Sequence, residues 1–125
     1  EDIMLKGDKI PFVNENLLMN KALKILGQKK LGILIAQNNK KKTSGIITDG
    51  QIRRFNMRKK NLQLLKVKDI MTKNPICIEQ DSLAAKALEL MNSKKITSLC
   101  VYKNKNKLKT IGVVHIHHIL QSNIS

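Results

Sequence analysis

Two segments of the chain place apolar residues at the spacing of one helical face. The positions are Leu18, Ala22, Ile25 and Leu26 in the first segment, and Leu83, Ala87, Leu90 and Met91 in the second. Residues at i, i+4, i+7 and i+8 lie together on a helix, so each segment is predicted to be an amphipathic helix. Asn16 and Asp81 precede these segments. We expect both to be N-caps, because their side-chain oxygens can accept from the free backbone N–H groups.

Short apolar runs flank each predicted helix and indicate strands. The runs ahead of the helices are 11–13 and 76–78, and those after them are 31–36 and Ser98–Tyr102. A turn rich in Lys and Asn then leads to a second strand, at 44–47 and at 111–114, and we expect each strand pair to form a hairpin. A last helix is predicted to start near Asp49 in one half of the chain and near His115 in the other.

The two halves of the chain are also similar in sequence. The stretches "LMNKALKILGQKKLGIL" (18–34) and "LAAKALELMNSKKITSL" (83–99) are identical at seven of 17 positions, at an offset of 65. "GIITDGQIRR" and "GVVHIHHILQ", which begin at Gly45 and Gly112, match at an offset of 67, as do two "DIM" triplets. Such a repeat indicates two copies of one structural unit. We predict one repeat over 1–60, a connector over 61–68 and a second repeat over 69–125.

Each repeat is too small to bury both of its helices and both faces of its sheet alone. We therefore expect an α/β (α+β) fold of two β-α-β-β-α repeats. The repeats would be related by a pseudo-twofold axis, with the sheets packed together and the helices outside. Hydrophobic residues make up 42% of the chain and aromatic residues 2%, so the core must be aliphatic.

The chain carries 24 basic and 9 acidic residues, for a net charge of +15. Such a surface attracts anions. Many of the lysines lie in the turns 38–42 and 103–109, and the chain has few aromatic side chains on which bases could stack. Binding of an anionic small molecule is therefore a better interpretation than binding of nucleic acid, although a basic nucleic-acid or acidic-partner binding module remains an alternative.

Other features of the sequence limit the cellular compartment and the enzymatic chemistry that we expect. No apolar run is long enough for a membrane span. Cys77 and Cys100 lie inside apolar runs, so we expect buried reduced thiols and a cytoplasmic protein. The chain begins at Glu1 rather than Met, which indicates a fragment of a longer protein. It has no catalytic motif and no paired carboxylates, so we do not expect this fragment to be an enzyme.

The repeat resembles a tandem pair of CBS domains, also called a Bateman module. The residues that carry the resemblance are "DIMTKNPICIEQDSLAAKALELM" (69–91), "GIITDGQIRR" and "GVVHIHHIL". The last two motifs together are similar to the C-terminal CBS pair of bacterial arabinose 5-phosphate isomerases, in which a sugar isomerase (SIS) domain precedes the pair. The resemblance implies that the parent enzyme interconverts ribulose 5-phosphate and arabinose 5-phosphate for synthesis of Kdo and lipopolysaccharide. It also implies that this part is regulatory, that the SIS domain of the parent is its partner, and that the CBS pair forms a homodimer.

The resemblance also implies a ligand site where a strand runs into a helix, because a helix N-terminus favours anions. In the family, a hydroxyl and an Asp follow this strand. Thr48 stands at the hydroxyl position and Gln51 at the Asp position of the first repeat, and His115 and His118 stand there in the second. The further residues that we expect to line the site are Asp49, Arg53, Arg54, Thr72, Asn74, Pro75, Thr97 and Ser98.

Several chemistries remain open at this site. Gln51 can bind a diol without charge assistance, and protonated His115 and His118 can bind an acidic group. The effector would be a nucleotide or an acidic sugar nucleotide, such as AMP or CMP-Kdo, and no other cofactor is expected. Alternatively, Thr48 and His115 merely cap their helices, Asp49 interacts with the helix dipole, and the pair is purely structural. The "HIHH" segment also allows a metal site, although zinc needs three or four converging ligands and we expect none.

Overall fold

The computed structural model describes residues 4–29, 31–56, 61–82 and 85–124. The strands are β1 (Met4–Leu5), β2 (Phe12–Asn14), β3 (Ile33–Gln37), β4 (Thr43–Thr48), β5 (Thr72–Lys73), β6 (Cys77–Glu79), β7 (Ser98–Tyr102) and β8 (Gly112–His115). The helices are α1 (Met19–Lys29), α2 (Asp49–Asn56), α3 (Val67–Ile70), α4 (Ala85–Lys94) and α5 (Ile116–Ile124). Three short 3-10 helices cover Gly7–Lys9, Leu62–Leu64 and Gln80–Ser82. The predicted mixture of helices and two sheets is confirmed.

The chain divides into two compact units. The first unit is Pro11–Asn74, and the second unit combines Glu1–Ile10 with Pro75–Ser125. The repeat boundaries at 60 and 69 stay a prediction about the sequence. The compact units group the chain differently, because each takes its "DIM" segment from the other repeat.

The first unit holds a four-stranded sheet in the order β2-β3-β4-β5. β2 and β3 are parallel, and β3 and β4 form the predicted antiparallel hairpin. The core between this sheet and the helices is aliphatic, as expected from the composition, and includes Met19, Ala22, Leu34 and Ile47. Full burial of one such side chain, for example Leu34 at 1% exposure, stabilises the fold by roughly 1.5–3 kcal/mol.

The second unit repeats this arrangement in the order β1-β8-β7-β6. β6 and β7 are parallel, and β7 and β8 form the second predicted hairpin. Its core contains Ala87, Met91, Leu99, Val114 and Ile119. The helical face predicted for this unit is therefore confirmed at Ala87 and Met91, whereas Leu83 lies outside the described residues.

The fourth strand of each sheet lies at the end of a "DIM" triplet, where we did not predict a strand: β1 begins at Met4 and β5 directly follows Met71. Leu5 of β1 pairs with Val113, and Thr72 of β5 pairs with Ile46. The two pairs are related by the sequence offset of 67. Each unit therefore obtains its fourth strand from the other repeat in the same way. This pairing requires a glycine on the neighbouring inner strand, β4 or β8. A Cβ added at Gly45 would lie 2.7 Å from the backbone oxygen of Thr72.

The two predicted N-caps are wrong. The N–H of Asn16 donates to Oδ1 of Asn14 at 2.8 Å, which makes a turn, and α1 begins only at Met19. Leu18, the residue before α1, forms an isolated β-bridge with Lys66, and the Met19 N–H donates to the Leu65 oxygen at 2.7 Å. Asp81 lies inside the 3-10 helix Gln80–Ser82 rather than at the start of α4.

The segment predicted to be a connector belongs to the core of the first unit. Leu62 and Val67 are buried there, and the Val67 N–H donates to the Leu17 oxygen at 2.9 Å. The preceding residues 57–60, which we expected to be a helix tail, lie outside the described residues. Burial of its apolar residues explains why 61–68 packs against α1 rather than crossing solvent as a linker.

Candidate ligand site at the strand-to-helix turns

The first turn joins β4 to α2 and carries three of the expected site residues, Thr48, Asp49 and Gln51. Thr48 is the last residue of β4, and Gln51 lies in the first turn of α2. The Gln51 N–H donates to Oγ1 of Thr48 at 3.3 Å, and the Thr48 N–H donates to Oε1 of Gln51 at 2.8 Å. This reciprocal pair is a capping box, which satisfies two backbone donors at the helix start. The T-x-x-Q spacing is a sequence signal for this motif, and the bonds agree with the alternative in which Thr48 caps its helix.

The side-chain amide of Gln51 also reaches β5. Its Nε2 donates to Oγ1 of Thr72 at 2.6 Å and to the Ile70 oxygen at 3.4 Å. Thr48, Gln51 and Thr72 are thus brought together, and they bond to one another. A ligand that used the amide of Gln51 would have to replace these bonds.

The second turn joins β8 to α5 with the same backbone. The Ile116 N–H donates to the Thr97 oxygen at 2.8 Å, as the Asp49 N–H donates to the Gly32 oxygen at 3.0 Å in the first turn. Ser98 pairs with His115 across β7 and β8, as Ile33 pairs with Thr48. The repeated sequence therefore builds the same strand-to-helix geometry in both units.

The side chains of the second turn differ from those of the first. The His117 N–H donates to Nδ1 of His115 at 3.1 Å, and the two rings stack with centroids 4.7 Å apart. The His118 ring lies edge-on to His115 at 6.0 Å. Its Nδ1 is buried and has no hydrogen-bond partner among the residues that the structure describes.

Burial lowers the pKa of His115, and repulsion from His117 and His118 lowers it further. A neutral ring suits the bond in which Nδ1 of His115 accepts from the His117 N–H. The lowered pKa works against the expectation that a protonated His115 attracts an acidic group. His115 is therefore better suited to accept or donate a hydrogen bond as a neutral ring.

The remaining expected residues divide between the two units. In the first unit, Asp49, Arg53 and Arg54 are exposed on α2, and Asn74 is exposed with a φ of 54°. In the second unit, Thr97 is exposed, whereas Pro75 and Ser98 are half-buried. All twelve residues remain predictions as ligand contacts.

An open cleft of 680 Å³ lies beside the second turn, within the second unit. Its floor includes Met91, Ile96 and Ile116, and its rim includes Lys95 and Thr97. Thr97 is the one expected site residue in its lining. The α4 residues of the cleft have no distinctive motif, so the sequence offered no signal for them.

Two structural findings bear on other functions. Within the described ranges, no group of three or more His, Cys, Asp or Glu side chains could hold a metal ion. In the same part of the chain, none of the helices has both the length and the apolar character that a membrane crossing requires.

Comparison with known proteins identifies the repeat. The model of the CBS domain matches residues 1–58 and 67–124. Arabinose 5-phosphate isomerase KdsD of Salmonella typhi is 35% identical over 123 residues, which is 98% of this chain and 37% of that protein. The chain thus spans little more than a third of the length of the curated relatives that it matches.

Solved structures share the fold. CBSX2, crystallised in complex with AMP, superimposes with a TM-score of 0.82 at 21% identity, covering 98% of this chain and 93% of that one. The CBS domain pair of protein MJ0100, crystallised with 5'-methylthioadenosine and S-adenosyl-L-methionine, gives 0.83 at 22% identity, covering 98% and 92%. At these identities the likeness concerns the fold alone.

Proposed function

The chain belongs to the CBS-domain family, as a tandem pair, and from this premise we propose that it is the regulatory, ligand-sensing part of an arabinose 5-phosphate isomerase. The observation that carries the proposal is the 35% identity to KdsD along 98% of the chain. The SIS domain of the parent would catalyse the interconversion of ribulose 5-phosphate and arabinose 5-phosphate. The CBS pair would bind an effector, form a homodimer and have no catalytic role of its own.

The effector that we propose is an anionic nucleotide or sugar nucleotide. Two CBS pairs of the same fold were crystallised with adenosine compounds. The net charge of +15 favours an anion. Gln51 and His118 replace the two acidic residues that hold ribose hydroxyls in the family pattern, which favours a ligand other than a simple adenosine nucleotide. CMP-Kdo, an end product of the parent pathway, carries both a phosphate and a carboxylate and is our first candidate.

The second turn is the better place for this effector. The polar atoms of Gln51 are already bonded within the first unit, whereas Nδ1 of His118 is buried without a partner among the described residues. An unpaired buried polar group costs about 1–3 kcal/mol, so a ligand that bonds to it recovers part of that cost. The open cleft beside Thr97 and Ile116 leaves room for a ligand group next to this turn.

Thermal melting of the chain with AMP, CMP-Kdo and arabinose 5-phosphate tests the proposal. A ligand that binds only the folded chain raises the melting temperature by mass action. We expect a rise with CMP-Kdo that exceeds the rise with AMP. A larger rise with AMP would refute the choice of effector, and no rise with any compound would favour the purely structural alternative.

Variants then locate the site. Thr48→Ala combined with His115→Ala should abolish binding, and His118→Ala alone should weaken it about tenfold, the equivalent of one hydrogen bond. Leu120→Ala is the matched control, because Leu120 lies on the same helix, α5, and is 46% exposed. Unchanged affinity in the double variant, with an unchanged circular dichroism spectrum, would contradict the assignment of the turns as ligand sites.

A further inference from the structure

Cys77 and Cys100 lie directly opposite each other in the second unit. They are paired residues on the adjacent parallel strands β6 and β7. Paired residues on parallel strands point to the same face of the sheet, and neighbouring strands lie about 4.7–4.9 Å apart. A disulfide needs Cα atoms about 4.4–6.8 Å apart. The pairing therefore places the two Cα atoms within the range that a disulfide requires.

The two thiols differ in burial and in the direction of their pKa shifts. A hydrogen bond from Cys100 lowers the pKa of the Cys77 thiol, burial opposes this effect, and the charge of Lys107 lowers the pKa further. The same hydrogen bond and burial raise the pKa of Cys100. Cys77 is half-buried, whereas Cys100 is only 2% exposed. Cys77 therefore has the more accessible sulfur and Cys100 the protected one.

We propose that Cys77 and Cys100 form a reversible dithiol–disulfide pair that reacts with small disulfides such as glutathione disulfide. The Cys77 thiolate attacks one sulfur of the small disulfide, which leaves a mixed disulfide on Cys77 and releases one small thiolate. The Cys100 thiol then loses its proton, and its sulfur attacks the Cys77 sulfur and displaces the second small thiolate. Two protein thiols are oxidised to one disulfide, the small disulfide is reduced, and the two released thiolates take up the two protons.

The exposure of Cys77 favours a disulfide that can be reduced again. Cys77 is only half-buried, and exposed disulfides are more easily reduced than buried structural ones. Bond formation also removes the contact in which the Cys77 thiol donates to the Pro75 oxygen at 3.2 Å. The pair would thus link redox state to the geometry of the segment before β6.

Mass spectrometry of the intact chain tests this proposal without any variant. The folded chain is incubated with glutathione disulfide, and free thiols are then alkylated. We expect an intramolecular disulfide, seen as the loss of two hydrogens and two alkylation sites, which peptide mapping assigns to Cys77 and Cys100. Excess reduced glutathione should reverse it. Stable addition of glutathione without the internal bond, or only disulfides between chains, would overturn the proposal.

Two variants test the order of the steps. Cys100→Ala should stop at the mixed disulfide on Cys77, whereas Cys77→Ala should react with glutathione disulfide at least about tenfold more slowly than Cys100→Ala. Repeating both reactions in urea is the control, because the difference should vanish when the strands separate. Equal rates in the folded variants, with native circular dichroism spectra, would contradict the assigned roles.

Discussion

The two strand-to-helix turns share a backbone and differ in how their side chains are satisfied. Both begin with a helix N–H that donates to the residue ahead of the neighbouring strand, Gly32 in one and Thr97 in the other. In the first turn, Thr48, Gln51 and Thr72 bond to one another. In the second turn, His118 keeps a buried nitrogen without a partner in the part of the chain that the structure describes.

This difference shows what a repeat preserves. The pairing of the strands and the entry into the helix depend on backbone bonds and on small residues at a few positions, so they persist in both repeats. The polar residues at the helix start can change without loss of the fold. One repeat uses them to close its turn, and the other leaves a buried polar atom that a ligand could engage.

The largest expected effect concerns the shared part of the scaffold. Gly45→Ala should lower the free energy of unfolding by roughly 1–3 kcal/mol, because an added Cβ would lie 2.7 Å from both the Met71 side chain and the Thr72 backbone oxygen. Gly112→Ala should cost less, because its nearest backbone atom, the Leu5 oxygen, lies 3.0 Å away. Urea unfolding measures both variants.

Gly27→Ala is the control for these two variants. Among the described residues, no atom apart from the chain neighbours and the local helix backbone lies within 4 Å of a Cβ added at Gly27, which is exposed in α1. Its substitution should stabilise the chain by about 0.5–1 kcal/mol through helix propensity. If Gly45→Ala behaved in the same way, the close approach of β5 to β4 would be wrong.

The second prediction contrasts the polar residues of the turns. Gln51→Leu should lower the free energy of unfolding by about 1–2 kcal/mol, because the Thr48 N–H loses its partner. His118→Leu should be neutral or stabilising by up to about 1 kcal/mol, because it removes an unpaired buried nitrogen. Urea unfolding of the two variants measures both effects. Equal losses of unfolding free energy would contradict the difference in side-chain bonding between the two turns.

A smaller effect is expected at the start of α2. Asp49 lies in the first turn of α2, whereas α5 has no acidic residue there. Asp49→Asn should cost about 0.3–1 kcal/mol through the helix dipole, and less at high salt. Glu89→Gln serves as a control, because Glu89 is exposed in the middle of α4. A loss that did not respond to salt would point to a cause other than the dipole.

The smallest effect is a pH dependence confined to the second turn. The pKa of His115 is lower in the folded chain than in the unfolded chain. The unfolded chain therefore binds more protons at a pH near the ordinary pKa of histidine. Stability is therefore lost as the pH falls below the ordinary pKa of histidine, about 6.5, towards the lower folded value. His115→Thr, which copies the residue of the first turn, should flatten the melting temperature over this range. An unchanged pH profile in that variant would assign the dependence to other groups.

The sequence predicted the hairpins and the positions of the long helices because apolar periodicity and repeated turns are local signals. It did not predict β1 and β5, since a two-residue strand has no alternation of its own and forms only where a glycine in another strand admits it. The N-cap assignments at Asn16 and Asp81 failed for a related reason. The residues at the start of α1 bond to the distant residues Leu65 and Lys66.

The candidate site was predictable in part. We predicted Thr48, Gln51 and Thr72 as site residues from the sequence, and in the structure they lie within hydrogen-bond distance of one another. It did not indicate that Gln51 bonds to Thr72, because the two residues are distant in the chain and meet only through the pairing of β4 with β5. Nor could it show that His118 has a buried unpaired nitrogen, which depends on the packing of the second unit.

The short strands β1 and β5 connect each strand-to-helix turn to a different part of the chain. Met4 and Leu5 pair with Val114 and Val113, and the next residue of β8 is His115. A pull on the N-terminal end of the chain is therefore borne as shear by this ladder, directly beside the second turn. A pull arriving from the segment between the repeats is borne by β5 against β4, two residues ahead of Thr48. A displacement of either short strand would therefore act first on the strand that leads into one turn and not on the other.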